Sequence, residues 1–135
     1  MSAWRRIAQE LFYDLRFHFN HKDDSIYSLL VFLQDRIIEA HRNNDLSEQE
    51  KIYNYAEWCF NQYKRSLYMH NAICVGFYEH LVEDESTLQA IPYKVKPYIF
   101  KDIQGLFEWM LNEDKDRYIK LVEEYNRVNN TDFDS

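Results

Sequence analysis

The chain has 135 residues, enough for one domain with its own core and without disulfide or metal staples. It holds two glycines and two prolines, well below the usual shares of about 7% and 5%, so sharp hairpins and glycine-rich phosphate loops have little material. A net charge of −7 argues against nonspecific binding to nucleic acid or to an anionic membrane, and 17% aromatic residues argue against disorder.

A first helix is predicted from about Ser2 to Phe19, with Ser2 as cap and Trp4, Ile7, Ala8, Leu11, Leu15 and Phe19 at three- and four-residue steps. Phe12 and Phe17 fall off that stripe and imply neighbours on two sides. After the break Asn20-His21-Lys22-Asp23, a second helix runs from a cap at Asp23 or Asp24 to about Arg42. Its stripe is Ile26, Leu29, Leu30, Leu33, Ile37 and Ala40. The loop Arg42 to Leu46 leads into Ser47-Glu48-Gln49-Glu50, which reads as a capping box opening the third helix, Glu48 to Lys64.

That third helix and the segment after it form the centre of the pattern. Ile52, Tyr55, Ala56, Cys59, Phe60 and Tyr63 share one face. Leu67 to about Leu81 is apolar nearly all round, as expected of a buried helix, and Gly76 within it implies close approach by a neighbouring helix. Lys64-Arg65-Ser66 contains no breaker, so Ser66 caps a fourth helix or one long helix runs through. Thr87 to Ile91 reads as a short helical turn ended by Pro92. Pro97 opens a fifth helix to Leu111, with Ile99, Phe100, Ile103, Phe107, Met110 and Leu111 apolar. Asn112 caps a sixth, whose stripe is Tyr118, Leu121, Val122, Tyr125 and Val128; Asn129 to Ser135 reads as a frayed tail. The expected fold is all-α: a single domain over 1–135, a bundle of about six antiparallel helices, with stacking as helical hairpins as a variant.

Cys59 and Cys74 fall on apolar faces, where cysteine behaves as a small hydrophobe; a disulfide between neighbouring helices is the alternative. Trp4-Arg5-Arg6 leads into an amphipathic stretch rather than a signal sequence, and no apolar run approaches membrane-spanning length. A reduced, cytoplasmic protein is expected.

Three constellations could carry chemistry. Asp14, His18 and His21 have helical metal-ligand spacing, but His21 falls where the helix ends. Glu79, His80 and Glu83 place two carboxylates around an imidazole, as acid–base or metal chemistry requires; the order is His-x-x-Glu and no second copy occurs. Cys59 lacks any local signature of an activated thiolate. No cofactor or metal is expected.

Charge and tyrosine are more informative. Residues 1–78 carry ten acids and nine bases, whereas residues 79–135 carry thirteen acids and seven bases. Tyr53, Tyr63, Tyr68, Tyr78, Tyr93, Tyr98, Tyr118 and Tyr125 are too many to bury together in a domain this small, and tyrosine is favoured at interfaces. The bland reading is tyrosine on helix flanks with ordinary solvated acids.

Ile52 to Cys59, Val75 to Leu81 and Gly105 to Leu111 resemble motifs of a bacterial family of small, all-helical, uncharacterised proteins. Some members look like immunity proteins of polymorphic or contact-dependent toxins. The resemblance covers roughly residues 48–125 and supplies no catalytic residue. It implies a non-enzymatic binding module that neutralises a toxin domain through an acidic, tyrosine-rich face. The expected partner-binding residues are Glu79, Glu83, Asp84 and Glu85, then Glu108, Glu113, Asp114 and Asp116. The expected partner is a protein with a basic surface, not nucleic acid or membrane. A metal-dependent or small-molecule enzyme using Glu79, His80 and Glu83 and a homo-oligomeric helical scaffold are the alternatives.

Overall fold

Phe12 turns the chain where the periodicity predicts an unbroken first helix. In the computed structural model, which describes residues 2–135, α1 spans Ala3–Leu11 and the chain leaves helical geometry at Phe12, φ −122° and ψ 56°. A 3-10 turn, Tyr13–His18, follows. The break has a packing cause. Phe12 lies off the stripe of α1, and leaving the helix there buries its ring completely, edge-on to Tyr55 at 5.7 Å. Arg5 then holds the loop beyond, donating to the carbonyls of Phe19 at 2.8 Å, His21 at 2.9 Å and Asp24 at 2.5 Å.

The described chain divides into two compact units, one ending at Phe77 and the other Tyr78–Ser135. The boundary falls where the charge changes, so the acidic part of the sequence is the second unit. All regular structure is helical, with no strand among the described residues.

In the first unit α2 spans Ile26–Arg42, and its buried residues are the six of the predicted stripe. α3 spans Leu46–Phe60 and begins two residues before the expected start at Glu48. Asp45 is its cap, accepting from the Glu48 N–H at 3.1 Å. Aspartate caps as well as serine does, and the Glu48 carboxylate is engaged elsewhere, by Arg36 at 2.6 Å. Tyr63 lies beyond the end of α3 and is exposed. Ser66 caps α4, Leu67–Gly76, by accepting from the Met69 N–H at 3.2 Å, so the chain does break after Lys64.

α4 is shorter and less buried than its composition suggests. It ends at Gly76, and Leu67, Tyr68 and Val75 are exposed. The expected close approach is present: a Cβ on Gly76 would lie 2.7 Å from Leu30 Cδ1, and Gln34 donates to the Gly76 carbonyl at 2.6 Å.

The second unit opens with a 3-10 turn, Tyr78–Glu83, that buries Tyr78, Leu81 and Val82. α5, Glu85–Lys94, continues through Pro92 instead of ending before it. Thr87, Leu88 and Ile91 are buried on its inner face, and Thr87 Oγ1 donates to the Leu81 carbonyl at 2.5 Å, so packing outweighs the local penalty of proline. α6 spans Pro97–Met110 and buries Ile99, Phe100, Ile103 and Phe107 as predicted. α7, Lys115–Asn129, is capped by Asp114 rather than Asn112 and buries Tyr118, Leu121, Val122 and Tyr125.

The tail expected to fray is anchored. Asn130 takes the left-handed conformation at φ 54°, which asparagine tolerates, and turns the chain back. Asn126 donates to the Phe133 carbonyl and accepts from the Phe133 N–H, both at 2.9 Å. The Phe133 ring packs 5.2 Å from Phe100, which itself stacks on Tyr125 at 3.8 Å.

Candidate functional site

The eight acids expected to bind a partner all belong to the second unit, and the structure gives them different roles. Asp84 is the cap of α5, accepting from the Ser86 N–H at 3.0 Å and from the Ser86 hydroxyl. Asp114 is the cap of α7, accepting from the Arg117 N–H at 3.3 Å. Glu85 pairs with Arg117 at 2.5 Å and accepts from Gln89 at 3.0 Å. Glu79 and Glu83 flank His80, at 3.8 Å and 2.6 Å.

Glu108, Glu113 and Asp116 remain. All three are exposed and, among the described residues, none has an ion-pair or hydrogen-bond partner for its carboxylate. They occupy the corner where α6 passes into α7, and between Glu108 and Glu113 stands Trp109, 68% exposed. A shallow cavity of about 290 Å3, lined by Glu108, Leu111, Lys115, Tyr118 and Ile119, lies at the same corner. Burial raises the Tyr118 hydroxyl pKa; the Gln104 hydrogen bond lowers it and the nearby Glu108 raises it further.

The eight tyrosines singled out in the sequence divide evenly. Tyr53, Tyr78, Tyr118 and Tyr125 are buried, while Tyr63, Tyr68, Tyr93 and Tyr98 are exposed. The Tyr125 hydroxyl donates to the Val95 carbonyl at 2.6 Å, Tyr118 accepts from Gln104 at 2.9 Å, and Tyr53 lies 2.7 Å from His41 Nε2. All four are core residues, and the hydroxyls of Tyr53, Tyr118 and Tyr125 are satisfied.

The residues of the other constellations have separate partners. Asp14 pairs with Arg36 at 2.6 Å, His18 packs on Phe32 at 4.3 Å, and His21 Nδ1 accepts from the Asp23 N–H at 3.1 Å. Cys59 and Cys74 are buried thiols rather than a disulfide. Burial pushes the Cys59 thiol up to about 12, partly offset by a hydrogen bond with Tyr55. No group of three or more histidine, cysteine, aspartate or glutamate residues among the described residues could hold a metal ion. No helix among them is long and apolar enough to cross a membrane.

Residues 5–112 match the family model of a domain of unknown function, DUF7674. The chain belongs to this family. The DUF7674 match begins ahead of the motif resemblance over 48–125, taking in most of α1 and all of α2 as well, and it stops before Glu113. Five of the eight acids, Glu79 to Glu108, therefore lie inside the DUF7674 region, and Glu113, Asp114 and Asp116 follow it. No curated protein and no solved structure matches the chain.

The DUF7674 chain also has a groove that its sequence does not announce. It runs between α5 and α7 and has a volume of about 410 Å3. Leu88, Pro92 and Leu121 form its buried floor, and Tyr93, Arg117 and Lys120 stand on its rim. The residues of its two walls are about thirty positions apart, as the Glu85–Arg117 pair shows at a separation of 32, so no local pattern could reveal it.

Proposed function

We propose that this DUF7674 protein is a non-enzymatic protein-binding module that engages a basic partner surface through the α6–α7 corner. Its most concrete form is a bacterial immunity protein that resides in the cytoplasm and neutralises a cognate toxin domain. The observation that carries this reading is Trp109, exposed between acids whose charge is not spent within the fold. A large aromatic ring supplies contact area at low entropic cost, and desolvated tryptophan is a common centre of interface energy. Glu108, Glu113 and Asp116 around it supply a local negative potential, and the excess of acids in residues 79–135 extends that potential over the unit.

The acids divide accordingly. Glu108, Glu113 and Asp116 make direct contacts to lysine and arginine of the partner. Glu79, Glu83 and Glu85 contribute to the field, and Asp84 and Asp114 hold helix ends in place. An inhibitor that replaces a polyanionic substrate needs this combination of a hydrophobic anchor and surrounding negative charge.

The test is co-expression with the protein encoded by the neighbouring reading frame. The wild-type chain should rescue growth and co-purify with that protein, and Trp109→Ala combined with Glu108→Lys, Glu113→Lys and Asp116→Lys should do neither while melting normally. A neighbour that is harmless when expressed alone, or rescue by the quadruple variant, would refute the reading.

A further inference from the structure

The rim of the α5–α7 groove is balanced except at one residue. Arg117 is held by Glu85 at 2.5 Å. Glu124 pairs with Arg127, which also lies 3.4 Å from the Tyr93 hydroxyl. Arg127 in turn holds the Glu124 carboxyl below the ordinary carboxylate range. Of the charged lining residues, Lys120 alone has no partner among the described residues, and it shares the groove with the apolar Leu88, Pro92 and Leu121.

Shape and charge together select a ligand. The volume of about 410 Å3 lies within the usual range of small-molecule sites, roughly 300–1,000 Å3. The stretch Glu85 to Tyr93 along α5 gives a length of about 12 Å at the helical rise per residue. A neutral ligand would leave the Lys120 charge as it is, and a dianion would set its second charge against Glu85 or Glu124. Lys120 is the one charged residue of the lining without an ion pair among the described residues, and a single negative charge on the ligand pairs it.

We propose that this groove binds an elongated apolar monocarboxylate, its body on Leu88, Pro92 and Leu121 and its carboxylate on Lys120. The body lies against the exposed Tyr93 ring at one end. The lining of the groove shares no residue with the cavity at the acidic corner, and its deciding charge has the opposite sign. Two sources share this chemistry, an acyl chain and a fused aromatic ring, and the experiment separates them.

The full chain, labelled with 15N, is titrated with decanoate and with 2-naphthoate, and in parallel with the uncharged decanamide and 2-naphthamide. At least one carboxylate should shift amide resonances of residues 85–93 and 117–124 saturably, and which one does so identifies the body. Its amide counterpart should bind about tenfold more weakly, the loss expected for one charge-assisted hydrogen bond. Lys120→Gln, a change at an exposed position, should reduce the carboxylate to the level of the amide and leave the amide unchanged. Equal binding of acid and amide, saturable shifts only elsewhere in the chain, or no saturable shift with either carboxylate would overturn the proposal.

Discussion

Gly76 on α4 and Leu30 on α2 are in contact so close that one added methyl group would lie 2.7 Å from Leu30 Cδ1. Leu30 is almost wholly buried, so its side chain has little room to yield. Alanine would favour the helix by up to about 1 kcal/mol but overpack the core at a cost of roughly 1–3 kcal/mol. Gly76→Ala is therefore expected to lower stability, read as a fall in the urea midpoint.

Gly105 is the opposite case. It lies inside α6 with nothing within 4 Å of the position a Cβ would take. Gly105→Ala should raise stability by about 0.5–1 kcal/mol. A gain at Gly76 matching that at Gly105 would contradict the α2–α4 packing.

Asp84 and Asp114 are assigned to helix ends rather than to a partner. Replacing either by alanine should cost about 1 kcal/mol of stability. Asparagine caps nearly as well as aspartate, so Asp84→Asn and Asp114→Asn should keep most of it. Thermal melts of the four variants decide this: asparagine variants as unstable as the alanine ones would mean that charge, not capping, matters there.

Stability should fall in alkali. The Cys59 thiol is raised from 9.0 to about 12 by burial, so between those values the unfolded chain loses a proton that the folded chain keeps. The stabilisation is intact below about pH 9 and declines towards pH 12, at up to about 1.4 kcal/mol per pH unit for this one group. Burial also raises Tyr53, Tyr55 and Tyr125 above the usual 10.0, adding their share at higher pH. Urea midpoints between pH 7 and 10.5 should be level to about pH 9 and then drop. The early part of the drop should be absent in Cys59→Ala.

Most of the fold was legible because one-sided burial leaves a local trace. The α2 stripe matches residue by residue, and those of α6 and α7 match except at Met110 and Val128, which are half-buried, since each helix buries a single face at helical spacing. Helix ends were less legible. Ser47 and Asp45 both make good caps, and nothing in the local pattern separates them; Asp45 is the one used. The break at Phe12 and the continuation of α5 through Pro92 have the same character, with tertiary burial overriding a local preference.

The candidate site was legible only as a composition of acids and tyrosines. Which acids are spent depends on Arg117 meeting Glu85 across 32 residues and on His80 lying between Glu79 and Glu83. Trp109 falls outside the predicted stripe of α6, in keeping with its exposure, but nothing local ties it to the acids around the α6–α7 corner.

The tail gives another prediction. Phe133 is half-buried against Phe100 and Tyr125, so Phe133→Ala should cost about 1–2 kcal/mol and raise hydrogen exchange at the end of α7. Unchanged exchange there would mean that the tail is not held.

The most direct measurement is the association rate of the full chain with the product of the neighbouring reading frame, the partner proposed above, followed against salt concentration. The wild-type rate should be fast at low salt and fall steeply as salt rises, and charge reversal at Glu108, Glu113 and Asp116 should lower it at least about tenfold and flatten the salt dependence. Identical rates and identical salt slopes for the two proteins would contradict binding through the α6–α7 corner.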